Sequence, residues 1–324
     1  MMKVKSFVCL ALTAVFSLGF LGNVVAQDLT EVITAYNTAL QTMRSDPAAS
    51  VNSLKSCIDL CGKIGAPADS IKTAANSKFA ETYFNLGTKQ AGAKDFTSAV
   101  ENLKLAIQFG EKTNNAEVLK RSNGALAQIY YIQADAARTA KDLVKAQELI
   151  GMSLAVDSTS SRAWIVQAFI YRDGDLADNF EFAVAKVEET SKNANETKMA
   201  KQAAAKYFLG DGSKLVNGSK FPEAVAFLEK SMKYDDTSKD MLFFLAKAYN
   251  GTSQFDKGLE IANKGIDLEE DVPEKEAKFW FEAGAAFAGK GDKTKACEAY
   301  KKAMFGQFAE NAKYEIEVTL KCGK

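Results

Sequence analysis

Histidine is missing altogether from the 324 residues. Its absence removes the commonest neutral-pH general base and the commonest zinc ligand, so a histidine-dependent triad or a mixed His/Cys metal site is excluded. Proline is scarce, at 4 residues, which suits long helices. A bias of charge is absent as well: 41 basic residues balance 41 acidic ones, leaving no charge-based case for nucleic acid. Beyond the N-terminus no apolar run is long enough to span a membrane. A phosphate-binding glycine loop is also lacking. Gly210-x-Gly212 has neither a preceding strand nor a correctly spaced lysine, and reads as part of a longer loop over Gly210 to Ser219. Carboxylate chemistry survives these exclusions only formally. The pairs Glu188/Glu189 and Glu269/Glu270 are adjacent in sequence, so on a helix their side chains diverge, as on a solvated face. No catalytic residue, cofactor or metal ligand is assigned.

Residues 1–26 read as an export signal. Lys3 and Lys5 form a basic start, Phe7 to Leu21 is mostly apolar, and Val24-Val25-Ala26 supplies a small-residue cleavage site before Gln27. The expected location is therefore the periplasm, the outer membrane or the cell surface. Four of the 5 cysteines lie beyond this stretch. In an oxidising compartment Cys297 and Cys322 are a candidate disulfide that would staple the last helix to its neighbour. Cys57 and Cys61, one helical turn apart, fit disulfide geometry poorly. The alternative for all four is that of small buried apolar residues.

The body of the chain, 27–307, carries a recurring helix-pair pattern. Its clearest copy is Trp280-x2-Ala283-Gly284-x2-Phe287-x8-Ala296-x3-Tyr300-x2-Ala303. Bulky positions fill the space between two helices, and small positions let the helices approach. Tyr83, Leu86 and Gly87 followed by Phe96, Ala99, Leu103 and Ala106 repeat it, with twelve residues from Gly87 to Ala99. Further copies begin near Asn115, with Ala127 and Tyr130 at its small and aromatic positions, and near Trp164, Ala204 and Leu242. A degenerate first copy runs from Leu29 to Cys61, broken at Asp46-Pro47, a cap followed by a first-turn proline. Residues 308–324 form a terminal helix and tail, expected to be polar on its outer face, as a solenoid cap needs.

About seven such units make the chain resemble the tetratricopeptide repeat family, in the form of an exported protein of the Bacteroidetes type. The first and fourth units are the degenerate ones. The resemblance implies an all-α fold, a right-handed superhelical solenoid of antiparallel helix pairs. It also implies a non-catalytic scaffold that holds a protein or peptide segment on its concave surface. Family positions facing that surface map onto Phe84, Tyr131, Ile165, Phe169, Phe208, Phe243, Lys247 and Phe281. This set is aromatic and apolar with scattered positive charge, suited to buried aromatic anchors. An alternative partner is a glycan at the outer membrane, for which Tyr131 is the best-placed stacking ring. Trp164 and Trp280 fall at core repeat positions instead.

Overall fold

Each helix pair is set by its turn. The computed structural model describes residues 22–269 and 271–323; of the expected signal, all but the last residues lie outside these. At Lys94, Lys141, Asp175, Ser219 and Ser253 the backbone turns into the left-handed region, and Gly291 does the same. The amide of the following residue then donates back to the carbonyl five before it, as Asp95 does to Gln90, Gln254 to Tyr249 and Asp292 to Phe287. This closes the helix end and redirects the chain at once. Lys141 and Asp175 are 34 residues apart, as are Ser219 and Ser253, which is the tetratricopeptide period.

The chain divides into two compact units, one of residues up to 132 with 155–157, the other of 133–154 with 158 onward. The first unit contains α1 (Gly22–Thr42), α2 (Pro47–Ile64), α3 (Asp69–Gly92), α4 (Phe96–Lys112) and most of α5 (Ala116–Thr139). Consecutive helices α1 to α4 pack in sequence, and α1 also touches α3. Asp46 caps α2 by accepting from the Ala49 amide, and Pro47 sits in the first turn. Ser50 bridges the pair by donating to the Ala39 carbonyl at 2.8 Å. Phe79, Tyr83 and Phe109 stack with centroids 4.9 to 5.7 Å apart. Cys57 and Cys61 are free and buried here. Burial, reinforced by Cys61, pushes the Cys57 thiol up to about 12, where it is unreactive.

The second unit holds most of α6 (Leu143–Val156), with α7 (Ser161–Asp173), α8 (Ala177–Thr190), α9 (Ala194–Asn217), α10 (Phe221–Tyr234), α11 (Lys239–Gly251), α12 (Phe255–Asp267), α13 (Pro273–Gly289) and α14 (Lys293–Lys302). From α7 onward each helix packs on the next. The first helices of successive pairs also touch, α7 on α9, α9 on α11, and α11 on α13. This is solenoid stacking within the unit: first helices share one side and second helices the other. No strand occurs among the described residues.

Two local expectations are corrected. Gly210 to Ser219 is not a long loop: α9 continues to Asn217, and the turn is confined to Gly218 and Ser219. Gly212 serves packing, since a Cβ there would fall 2.6 Å from Leu228 Cγ. The C-terminus is not one regular helix. It is a 3₁₀ turn (Gly306–Phe308), a short α15 (Ala309–Tyr314) and a π-helical turn (Glu315–Thr319). Its exposed residues are mostly polar, Glu310, Asn311, Lys313, Glu317 and Thr319 among them, with Tyr314 and Val318 the apolar exceptions at 58% and 50% exposure. Ala312, Ile316 and Leu320 take the inward positions against Tyr300 and Ala303.

Candidate functional site

The site is built from α11, α13 and the chain's own C-terminal turn. On α11 the residues Met241, Leu242, Leu245, Ala246 and Tyr249 are buried, following helical periodicity. Phe243, Lys247 and Asn250 consequently fall on the neighbouring face and are only half-buried. On α13 the buried Ala277, Phe279 and Ala283 leave Phe281 in the same situation. Phe308 comes back over both helices. Its ring lies 5.9 Å from Phe243, edge to face, and 5.7 Å from Phe281, tilted. Phe281 also meets Tyr300 edge-on at 5.3 Å. Such geometries favour aromatic pairs beyond their buried area.

The same two helices, α11 and α13, share a buried polar pair. Asn250 Nδ2 donates to the Glu282 carbonyl at 2.9 Å and to its carboxylate at 3.0 Å. Glu282 is only 4% exposed. Burial pushes its carboxyl up to about 7, against the opposing pull of the Asn250 hydrogen bond and the Lys247 charge. Asn250 Oδ1 is buried with no hydrogen-bond partner among the described residues.

An open cavity of 830 Å³ adjoins Phe308. It is lined by Thr237, Ser238, Lys239, Asp240, Glu269, Glu274, Lys275, Lys278 and Gln307 as well. Glu269 does not belong to a solvated face. It is buried and paired with Lys239 at 2.8 Å and Lys278 at 3.7 Å. Its sequence neighbour Glu270 lies outside the described residues. The structure joins Cys297 to Cys322, with a Cα separation of 5.9 Å, and so ties the end of the C-terminal segment to α14.

The other residues mapped to the concave surface are dispersed. Phe208 is 0% exposed, enclosed by Phe180, Tyr207, Phe227 and Tyr234 at 5.3 to 6.3 Å. It is a core residue, because the rings of α8 and α10 close over it. Ile165 is buried in the same cluster. Phe169 is half-buried beneath two guanidinium groups, Arg172 at 4.7 Å and Arg138 at 5.6 Å. Asp173 holds both arginines at 2.7 Å. Burial works to raise the Asp173 carboxyl, but the hydrogen bonds from Arg138 and Arg172 outweigh it and hold the group low. In the first unit Phe84 is covered by the Arg121 guanidinium at 4.1 Å, itself anchored on Glu81. Tyr131 is half-buried on α5. Trp280 is half-buried, with Lys302 3.9 Å above its ring and Nε1 donating to Glu276.

Only Phe243, Lys247 and Phe281 of the eight thus share one face with Phe308. Sequence reasoning placed Phe308 in a capping helix and overlooked Glu282. The legible signal for Phe308 was an aromatic pair, Phe305 and Phe308, around Gly306 just past the last repeat. Among the described residues no group of three or more acidic or cysteine side chains gathers to hold a metal, and no helix is long and apolar enough to cross a membrane.

No family model and no curated protein matches the chain. Solved structures overlap it partially. YrrB, a TPR protein with an unusual peptide-binding site, gives a TM-score of 0.35 at 18% identity, covering 58% of this chain and 91% of that one. MamA (41-end) from Desulfovibrio magneticus RS-1 gives 0.34 at 18%, covering 58% and 97%. The TPR2AB-domain:pHSP90-complex of yeast Sti1 gives 0.32 at 13%, covering 90% and 97%. At such scores the likeness adds no weight, and the paired-helix fold stands on this chain's own packing.

Proposed function

We propose that the chain is a non-catalytic scaffold of the cell envelope that binds a protein or peptide segment on the α11/α13 face. One observation carries this reading: Phe243 and Phe281, on successive first helices, together receive an aromatic side chain from a short 3₁₀ turn. A surface that accepts Phe308 in this way has the shape and chemistry to anchor an aromatic residue of another protein. The basic start and apolar run of residues 1–26 support export.

The test is recovery of bound proteins by the immobilised full chain and by the Phe243→Ala, Phe281→Ala double variant. Far-UV circular dichroism checks that both remain helical. A partner retained by the native chain and lost by the double variant is the expected result. Equal recovery of every partner would overturn the proposed face.

A further inference from the structure

We infer that Phe308 is a built-in occupant of the α11/α13 face, and that an aromatic side chain of a partner protein takes its place once a dithiol has reduced Cys297–Cys322. The inference rests on the binding face proposed for the scaffold and adds the partner's chemistry and the condition for access.

The chemistry of the occupant is visible in place. Phe308 fills the space between Phe243 and Phe281 from a three-residue turn that follows Gly306, whose φ is +51°. Its neighbour Gln307 lines the 830 Å³ cavity beside the rings. The charges around that cavity balance, with Lys239, Lys275 and Lys278 facing Asp240, Glu269 and Glu274. An incoming segment is therefore best matched by an aromatic anchor with uncharged polar flanks, as Gln307 and Phe308 are here. A net charge on the flanks would gain little from such a rim.

The means of access is equally local. The segment after α14 contains only a three-residue turn, a six-residue helix and a five-residue π turn. Elements this short are not stable by themselves in water. They are held by Phe308, by Ala312, Ile316 and Leu320, and by the covalent bond at residue 322. That bond closes a loop with a sequence separation of 25. Its two sulfurs differ in access, for Cys297 is buried on α14 while Cys322 is half-buried in the tail. A thiolate of the dithiol attacks Cys322 Sγ, the S–S bond breaks, and Cys297 leaves as a thiolate that takes up a proton. The second thiol of the reductant then closes its own ring disulfide and releases the Cys322 thiol. Two electrons and two protons pass from the dithiol to the protein. With the disulfide gone, the segment is held only by its backbone link to α14 and its noncovalent contacts, so an external ring at sufficient concentration can displace Phe308.

The probe is a fluorescein-labelled peptide with the sequence of residues 302–312, with its Phe308→Ala counterpart as control. Binding is read by fluorescence anisotropy against the full chain in four forms: oxidised, reduced with dithiothreitol, Cys322→Ser, and oxidised Phe308→Ala. Far-UV circular dichroism accompanies each form. The reduced and Cys322→Ser proteins are expected to bind the peptide at least about 10-fold more tightly than the oxidised native protein. The oxidised Phe308→Ala protein binds without reduction, and the control peptide binds none of them. Equal affinity of oxidised and reduced native protein, with Phe308→Ala still binding, removes the disulfide latch and leaves the binding face standing. Failure of the Phe308→Ala protein to bind removes the face itself, and the inference with it.

Discussion

The middle and the end of the second unit put their aromatic residues to opposite uses. Between α7 and α10, Phe180, Tyr207, Phe208, Phe227 and Tyr234 close on one another, and Phe208 loses all contact with solvent. Between α11 and α14, Phe243 and Phe281 stay half-buried and take their covering ring from beyond the last repeat. Ile165 and Phe281 each follow the tryptophan of their repeat, yet the first is core and the second is surface. Register alone does not make a ligand-facing residue. What matters is whether a neighbouring helix supplies side chains long enough to cover it. In the middle the rings of α8 and α10 do so, whereas at the end Tyr300 of α14 meets Phe281 on one side and Phe308 of the C-terminal segment supplies the cover shared with Phe243.

The sharpest way to break this contrast is to truncate one ring in each region. Phe208→Ala leaves a hole in a closed cluster and should lower unfolding stability by about 3–5 kcal/mol. Phe281→Ala, at a surface that water can reach, should lower it by only about 1–2 kcal/mol. Urea unfolding followed by circular dichroism compares them, and equal losses would erase the distinction between core and face.

The cap supplies the next contrast. Cys322→Ser opens the loop closed by Cys297–Cys322 and should weaken the C-terminal segment by about 3 kcal/mol. Because repeat proteins are stabilised locally, amide exchange of residues 304–320 should accelerate by about 100-fold. Amides near Phe208 should be unchanged. Uniform acceleration across both regions would show that the cap is not a separate element.

The two regions also carry carboxyl groups shifted in opposite directions. Glu282 has its carboxyl raised to about 7 by burial, above the ordinary glutamate value of about 4.3. The stability associated with its protonated form is complete below pH about 4.3 and declines as pH rises through about 7, by about 3 kcal/mol in all. The stability of Glu282→Gln relative to the native chain should therefore increase by about that amount between pH 4 and pH 8. A flat difference would show that Glu282 is not held protonated. Asp173, held low by Arg138 and Arg172 despite its burial, has the reverse dependence. Its contribution is present above its unfolded value and is lost on acidification through its folded one.

The smallest effect belongs to the turns. Lys141 and Ser253 adopt left-handed backbone, with φ of 64° and 60°, a conformation that costs a side-chain-bearing residue about 1–2 kcal/mol. Lys141→Gly and Ser253→Gly should each raise thermal stability by about 0.5–1 kcal/mol, after glycine's greater unfolded entropy is set against the relieved strain. The same gain at both turns would show that the turn is an interchangeable part, independent of the aromatic contrast.

Much of the architecture was legible because it is local. The spacing of Trp280, Gly284, Phe287, Ala296 and Tyr300 encodes two amphipathic helices and their contact, and Asp46-Pro47 marks a boundary in plain chemistry. The loop expected over Gly210 to Ser219 failed because glycine was read as a breaker. At Gly212 it instead makes room for Leu228, and a neighbouring helix's side chain overrides local propensity. The terminal segment was legible as helical with a polar outer face, but its apolar residues do not form one stripe of an α-helix. The structure resolves that irregularity by changing helix type at Glu315.

The sequence by itself determined that this chain makes helix pairs, where they turn, and which small and large residues interlock, since these follow from periodicities within one or two turns of helix. The tertiary structure alone decided which aromatic rings are core and which form a face, that Glu282 and Glu269 are buried, and that Phe308 returns over α11 and α13. Each of these depends on what lies across a helix interface, often tens of residues away in sequence. Burial, and with it hydrogen bonding and charge, is a property of those distant neighbours rather than of the residue itself.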